Sequence, residues 1–178
     1  MTVKKHATAG AFVFCRFEDG WRLGLIEHPR LGRHMIMGGH VEDDETQAEA
    51  AVREVEEESG LRKVRLVEAL TPGVPVGFPH ATVAAPWWIT EQDVPADNHL
   101  AQPHVHVDHQ YVAVVDDPTP AAEAVHRFGW FRHEDLAGLS MFEDTRLLAG
   151  VLFSCLDDVV TGRVDPVTAV RPLVGATA

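Results

Sequence analysis

The chain has 178 residues, 46% of them hydrophobic and 24% charged, the balance of a globular domain with its own core rather than of a disordered or fibrous chain. Its formal net charge of −12 argues against nucleic acid as the main partner, and it repels a small anion as well unless a cation bridges the two. No apolar run is long enough to span a membrane, the N-terminal MTVKKHATAG lacks a signal-type apolar stretch, and the two cysteines, Cys15 and Cys155, read as buried thiols. The expectation is a cytoplasmic protein with no membrane partner.

Residues 7–15, ATAGAFVFC, are rich in β-formers and run into a turn at Glu18-Asp19-Gly20, so they predict a strand paired in a hairpin with residues 21–27, WRLGLIE. Residues 28–34, HPRLGRH, read as a loop leading into Met35-Ile36-Met37. Arg22, Arg30 and Arg33 all lie in this part of the chain.

The next stretch, GGHVEDDETQAEAAVREVEEESGL over residues 38–61, predicts a loop that turns into a helix. Thr46 followed three residues later by Glu49 is a capping-box signature, and Gly60 stands where a helix prefers to stop. Ala48, Ala51, Val52 and Val55 fall on one side at helical spacing and predict a packed face. Glu54, Glu57 and Glu58 share an adjacent face. Like charges so placed cost about 0.2–0.5 kcal/mol per pair, and they stand toward the negative end of the helix dipole. Arg53, one turn before Glu57, is the single cation within the cluster. A local rule broken this way points to a bound cation, and oxygen ligands of this kind suit Mg²⁺.

The segment resembles the signature box of the Nudix hydrolases, G-x5-E-x7-R-E-U-x-E-E-x-G-U with U aliphatic. Gly39, Glu45, Arg53, Glu54, Val55, Glu57, Glu58, Gly60 and Leu61 occupy every fixed position. Met37 stands where family members commonly have proline. The resemblance implies an α/β fold, the α/β/α sandwich with a mixed central sheet, in a single domain over residues 1–178 whose core runs from about 5 to 160. It implies hydrolysis of a nucleoside diphosphate linked to another moiety by metal-activated water attack on phosphorus. Mg²⁺ or Mn²⁺ would be held by Glu54, Glu57 and Glu58. The general base would be Glu57 or Glu54, with Arg53 holding Glu57 in place and Glu45 supporting the loop. Gly38 and Gly39 would let the backbone approach phosphates, toward which Arg30 and Arg33 would bring positive charge. The partner implied is a small-molecule nucleotide, and a homodimer is open. A domain of this type that binds a nucleotide as a sensor without turnover is the alternative; the intact carboxylate set favours the enzyme.

Beyond the box, residues 64–70 predict a strand. Three prolines interrupt residues 71–80, while ATVAAPWWI has strand-like composition with Pro86 at an edge or bulge, and residues 91–103 read as an exposed loop. Trp87 and Trp88 would point to opposite faces if extended, and loops of this region would choose the substrate. Residues 104–117, HVHVDHQYVAVVDD, alternate as a strand with His104, His106, Asp108 and Gln110 on one face and Val105, Val107, His109 and Tyr111 on the other. His104, His106 and Asp108 are candidates for substrate contact. Imidazoles at that spacing also suit a transition metal, but with no cysteine and no second histidine pair in support the pocket-lining reading is preferred.

Residues 118–126 form a loop before a short strand at 127–132, RFGWFR. A glutamate in a loop ahead of a tryptophan-bearing strand is similar to a Nudix feature that completes the metal site or supplies the base. Glu123 ahead of Trp130 holds that place, with Asp116 and Asp117 as rivals. Residues 133–139 predict a turn and residues 141–160 a helix with an apolar stripe of Leu147, Leu148, Val151, Leu152, Cys155 and Leu156. The tail after Gly162 reads as irregular.

Overall fold

A computed structural model of the chain describes residues 3–69, 73–96 and 100–161. Its elements in order are β1 (Lys5–Phe17), β2 (Gly20–His28), β3 (Arg33–Met35), β4 (Met37–His40), α1 (Gln47–Ser59), β5 (Arg65–Val67), β6 (Trp88–Val94), β7 (His104–Val115), β8 (Arg127–Phe131), a 3-10 helix (His133–Gly138) and α2 (Glu143–Val160). The irregular tail expected after Gly162 lies outside the described residues.

The two longest strands, β1 and β7, run parallel from Lys5↔Val105 to Cys15↔Val115 and make the spine of a mixed sheet. Each spine strand is longer than any other partner, so each outer edge is shared by two shorter strands. On β1, residues 8–11 pair antiparallel with β4 and residues 13–17 with β2. On β7, residues 104–110 pair with β6 and residues 112–114 with β5, both antiparallel. β3 and β8 extend the sheet from β2.

Strict alternation on β1 sorts its side chains between two cores. Ala9, Ala11, Val13 and Cys15 join Tyr111 and Ala113 of β7 beneath Ala48, Ala51 and Val55 of α1. Phe12 and Phe14 face the other way and join Val112, Val114, Leu152 and Leu156, the last two from α2. The result is the expected sandwich, α/β/α with a mixed sheet. Among the described residues no helix is long and apolar enough to cross a membrane, and both cysteines are free thiols.

Four expectations change. Residues 33–34 and 38–40, expected in loops, belong to β3 and β4, since their pairing comes from β2 and β1 and not from a local run of β-formers. β6 reaches Val94, so residues 91–94 are ladder and not loop; Ile89, Glu91 and Asp93 are exposed while the residues between them are half-buried, the pattern of a polar edge strand. Trp87 and Trp88 both cover the α2-side core, because Trp87 precedes the strand, its indole nitrogen donating to the Val67 carbonyl, while Trp88 lies edge-on to Phe12. The buried stripe of α2 is Thr145, Ala149, Leu152, Leu156 and Val159, whereas Leu147 is 61% exposed. Urea denaturation separates these two leucines: Leu152→Ala should cost about 2–5 kcal/mol and Leu147→Ala less than about 0.5 kcal/mol.

Candidate functional site

The site is assembled around α1, whose two ends are fixed by local sequence. Thr46 caps the start, its hydroxyl accepting from the Glu49 N–H while the Glu49 carboxylate accepts from the Thr46 N–H, the reciprocal pair expected. Gly60 ends it in the left-handed region at φ 73°, its N–H donating to the Glu56 carbonyl. Ala48, Ala50, Ala51 and Val55 are buried, which turns the glutamates toward one flank and toward β4.

Arg53 ties this helix to the preceding loop. Its Nε and Nη2 donate to the two carboxylate oxygens of Glu45 at 3.0 and 2.6 Å, the bidentate fork of a strong pair. Nη2 also donates to the His40 carbonyl at 3.1 Å, and Nη1 donates to Glu54 at 2.8 Å and Glu57 at 3.3 Å. Five bonds occupy the five donors of the guanidinium. The Arg53–Glu57 contact expected from helical spacing is therefore present but is the longest of the set, and Glu45 is the main partner. That pairing holds Glu45 well below the usual carboxylate range.

Glu54 and Glu58 stand against the glycines of β4. The Gly38 N–H donates to Glu58 Oε2 at 3.0 Å. A Cβ on Gly39 would lie 2.4 Å from Glu54 Oε1, and one on Gly38 would lie 2.8 Å from the Ala9 carbonyl of β1. Both positions thus need glycine for packing, one against a carboxylate and one against a neighbouring strand. Glu57 is the exposed member of the three. The loop carrying Glu123 docks on the C-terminal end of the helix through Ala121 and Ala122 N–H to the Gly60 carbonyl, Val125 N–H to Glu57 O and His126 N–H to Glu58 O. Glu123 itself is exposed.

The NUDIX domain family model matches residues 4–149. The chain belongs to the NUDIX family. With the family comes the enzyme class, hydrolysis of phosphoric anhydrides. Solved structures share the fold: a NUDIX-family hydrolase from Clostridium perfringens (23% identity, TM-score 0.64, covering 85% of this chain and 97% of that one), an Ap4A hydrolase from C. elegans (17%, 0.56, 84% and 94%) and the E. coli dihydroneopterin triphosphate pyrophosphohydrolase (14%, 0.59, 86% and 99%). No curated protein matches the sequence.

Other residues named from the sequence lie in different surroundings of this Nudix fold. Arg33 covers the Phe142 ring at 4.8 Å, and Arg30 is exposed in the turn between β2 and β3. Asp108 is engaged by the Thr8 hydroxyl at 2.9 Å and the Gln110 amide at 2.8 Å. His104 and His106 turn toward His40, a residue that sequence spacing had not linked to them. His126 is a second residue that sequence reasoning missed: its Nε2 lies 3.3 Å from Glu58 Oε1, and nothing in the loop sequence marks it beyond its being a histidine.

Burial dominates the electrostatics of the carboxylates. Desolvation pushes Glu58 up to about 7, against the opposing Gly38 N–H, with the Glu54 and Glu57 charges adding to the rise. Desolvation likewise raises Glu54 although Arg53 pulls the other way. A raised acid favours the folded state only while protonated. Between the ordinary value of 4.5 and about 7 the folded chain retains the Glu58 proton that the unfolded chain has released, so stability falls as pH rises through this window. With a chelator present, the stability of the wild type should therefore drop relative to Glu58→Gln across that window and run parallel to it at higher pH. Denaturation curves at several pH values check this, and a pH-independent difference would contradict it.

Proposed function

We propose that the protein hydrolyses a diphosphate linkage in a nucleoside diphosphate linked to another moiety, with Mg²⁺ (or Mn²⁺) held by Glu54, Glu57 and Glu58 and with Glu123 completing the set. The observation that carries this reading is the desolvated pair Glu54 and Glu58, set against glycines with an exposed third carboxylate one turn along. All the donors are oxygens, the chemistry of a hard divalent ion. When bound, such an ion neutralises the diphosphate and makes the attacking water more acidic.

The chain's own residues supply the rest. Arg53 fixes the direction of Glu54 and Glu57 and anchors the loop through Glu45 and the His40 carbonyl. The Gly38 N–H orients Glu58. Glu57 is the proton acceptor for the attacking water, because it is exposed and held by a single 3.3 Å bond, whereas Glu54 and Glu58 are committed to shorter ones. Glu123 approaches from the docked loop, and the backbone of Gly38 and Gly39 lies beside the phosphates. Arg30, exposed in the β2–β3 turn, adds positive charge to a chain of net charge −12, while Arg33, at the start of β3, is held over the Phe142 ring. An open groove along the outer flank of α1, lined by Val52, Arg53, Glu56, Glu57, Arg62 and Leu66, gives room for the group attached to the diphosphate.

The partner is a small-molecule nucleotide, and the names of two structural neighbours, an Ap4A hydrolase and a dihydroneopterin triphosphate pyrophosphohydrolase, agree with a phosphoanhydride substrate. We take the chain as one cytoplasmic domain, in keeping with its two free thiols. The test is product release from nucleoside triphosphates, ADP-ribose, sugar nucleotides and dinucleoside polyphosphates with Mg²⁺. At least one class should turn over. Glu57→Gln should lower kcat by about 10²–10⁴-fold while its circular dichroism and denaturation curve stay unchanged. Wild type inert on every class would leave a nucleotide-binding domain without turnover.

A further inference from the structure

On the face of β4 and β7 turned away from α1, three imidazoles converge. The ligating nitrogens of His40, His104 and His106 all lie within 4.8 Å of one another, and His104 Nε2 is 3.1 Å from His106 Nε2. We infer that these three histidines form a site for a transition-metal ion of the zinc type, separate from the carboxylates of α1.

The geometry has the dimensions of a ligand set. Two nitrogens each about 2.0–2.1 Å from a tetrahedral Zn²⁺ stand roughly 3.3 Å apart, close to the observed spacing. The rings approach edge-on or tilted rather than stacked: centroids of His40 and His106 are 4.9 Å apart at 85°, those of His104 and His106 4.9 Å apart at 55°. Protonated rings set this close repel one another, whereas a single divalent cation can take one lone pair from each ring. The buried ring of His104 is also oriented as a metal ligand should be. Its Nδ1 lies 3.1 Å from the Gln102 carbonyl, which selects the tautomer with a proton on Nδ1 and a lone pair on Nε2 facing the cluster.

A fourth imidazole stands beside the three. His6 of β1 pairs in register with His106, and its ring centroid is 5.4 Å from that of His104 and 5.8 Å from that of His40. It is a side chain of ligand type placed beside the set. Asp108, on the same strand face, is not part of the set, because Thr8 and Gln110 hold both of its oxygens. An all-nitrogen set selects against Mg²⁺ and for Zn²⁺, Ni²⁺ or Co²⁺, whereas the oxygen set of α1 has the opposite preference. The two sites meet at β4, where the His40 carbonyl accepts from Arg53 while its ring turns to the other face. An ion here pins the end of the strand whose glycines lie against Glu54 and Glu58.

The test uses the untagged full chain, stripped with a chelator and titrated with Zn²⁺ under a large excess of Mg²⁺, with Co²⁺ as the optical stand-in. One Zn²⁺ per chain should bind, raise the thermal midpoint and, as Co²⁺, give visible absorption bands of nitrogen-ligated metal. His106→Gln and His40→Gln, at half-buried positions, should weaken Zn²⁺ binding by about 100-fold or more and abolish the Co²⁺ bands, while Glu57→Gln leaves both intact. Their far-ultraviolet circular dichroism should match the wild type, and if His40→Gln alters folding, His106→Gln carries the comparison. No stoichiometric Zn²⁺ uptake, or uptake lost in Glu57→Gln and retained in His106→Gln, would overturn the proposal. Either result leaves the hydrolase reading standing, since that rests on the carboxylates.

Discussion

The guanidinium of Arg53 is the contact on which the rest of the site depends. Glu45, Glu54 and Glu57 all bear on it, and so does the backbone at His40. Without it the three box carboxylates on α1 repel one another near the negative end of a helix dipole, and the loop before the helix loses its ties through Glu45 and the His40 carbonyl. A lysine at this position would supply one point charge where the observed arrangement uses a planar fork with five donors. The result is a rigid acidic surface, oriented in advance of any ligand.

That surface exists because of how the sheet is divided. β1 gives one half of an edge to β4 and the other half to β2, so β4 is a short strand lying directly against the helix that bears the glutamates. Glycine at 38 and 39 lets β4 approach both the β1 backbone and Glu54. The same strand then separates two ligand environments of different hardness. Carboxylate oxygens lie toward α1, and imidazole nitrogens lie on the opposite face with β7. If both proposed sites bind as argued, two cations of different chemistry would be sorted across one short strand by donor atoms and not by distance.

Much of this was legible in the sequence where the determinants are local. Thr46 with Glu49 and Gly60 wrote both ends of α1, and the alternation of residues 104–111 assigned the faces of β7, because a cap and a pleat depend on neighbours in the chain. The reading was poorer where partners arrive from elsewhere. β3 and β4 contain no run of β-formers and exist because β2 and β1 offer them edges. Spacing on a helix selected Glu57 as the partner of Arg53, but the loop folds back to bring Glu45 closer. His40 reaches His104 and His106, and His126 reaches Glu58, through tertiary structure with no periodic signal in the chain. The exposed Leu147 shows the same limit on α2, where an apolar residue fits the stripe by spacing yet lies outside the contact made by the sheet.

The claim at the centre is that the α1 carboxylates take up a hard divalent ion at one defined place on a broadly acidic protein. Titration of Mn²⁺ into the isotopically labelled chain, followed by paramagnetic broadening of backbone amide resonances, tests it most directly. The account predicts early broadening centred on Gly38, Glu54 and Glu58, reversed by excess Mg²⁺ and lost in Glu58→Gln. Broadening that starts instead at exposed acidic residues such as Asp43 and Asp44, or that is indifferent to Glu58, would contradict it.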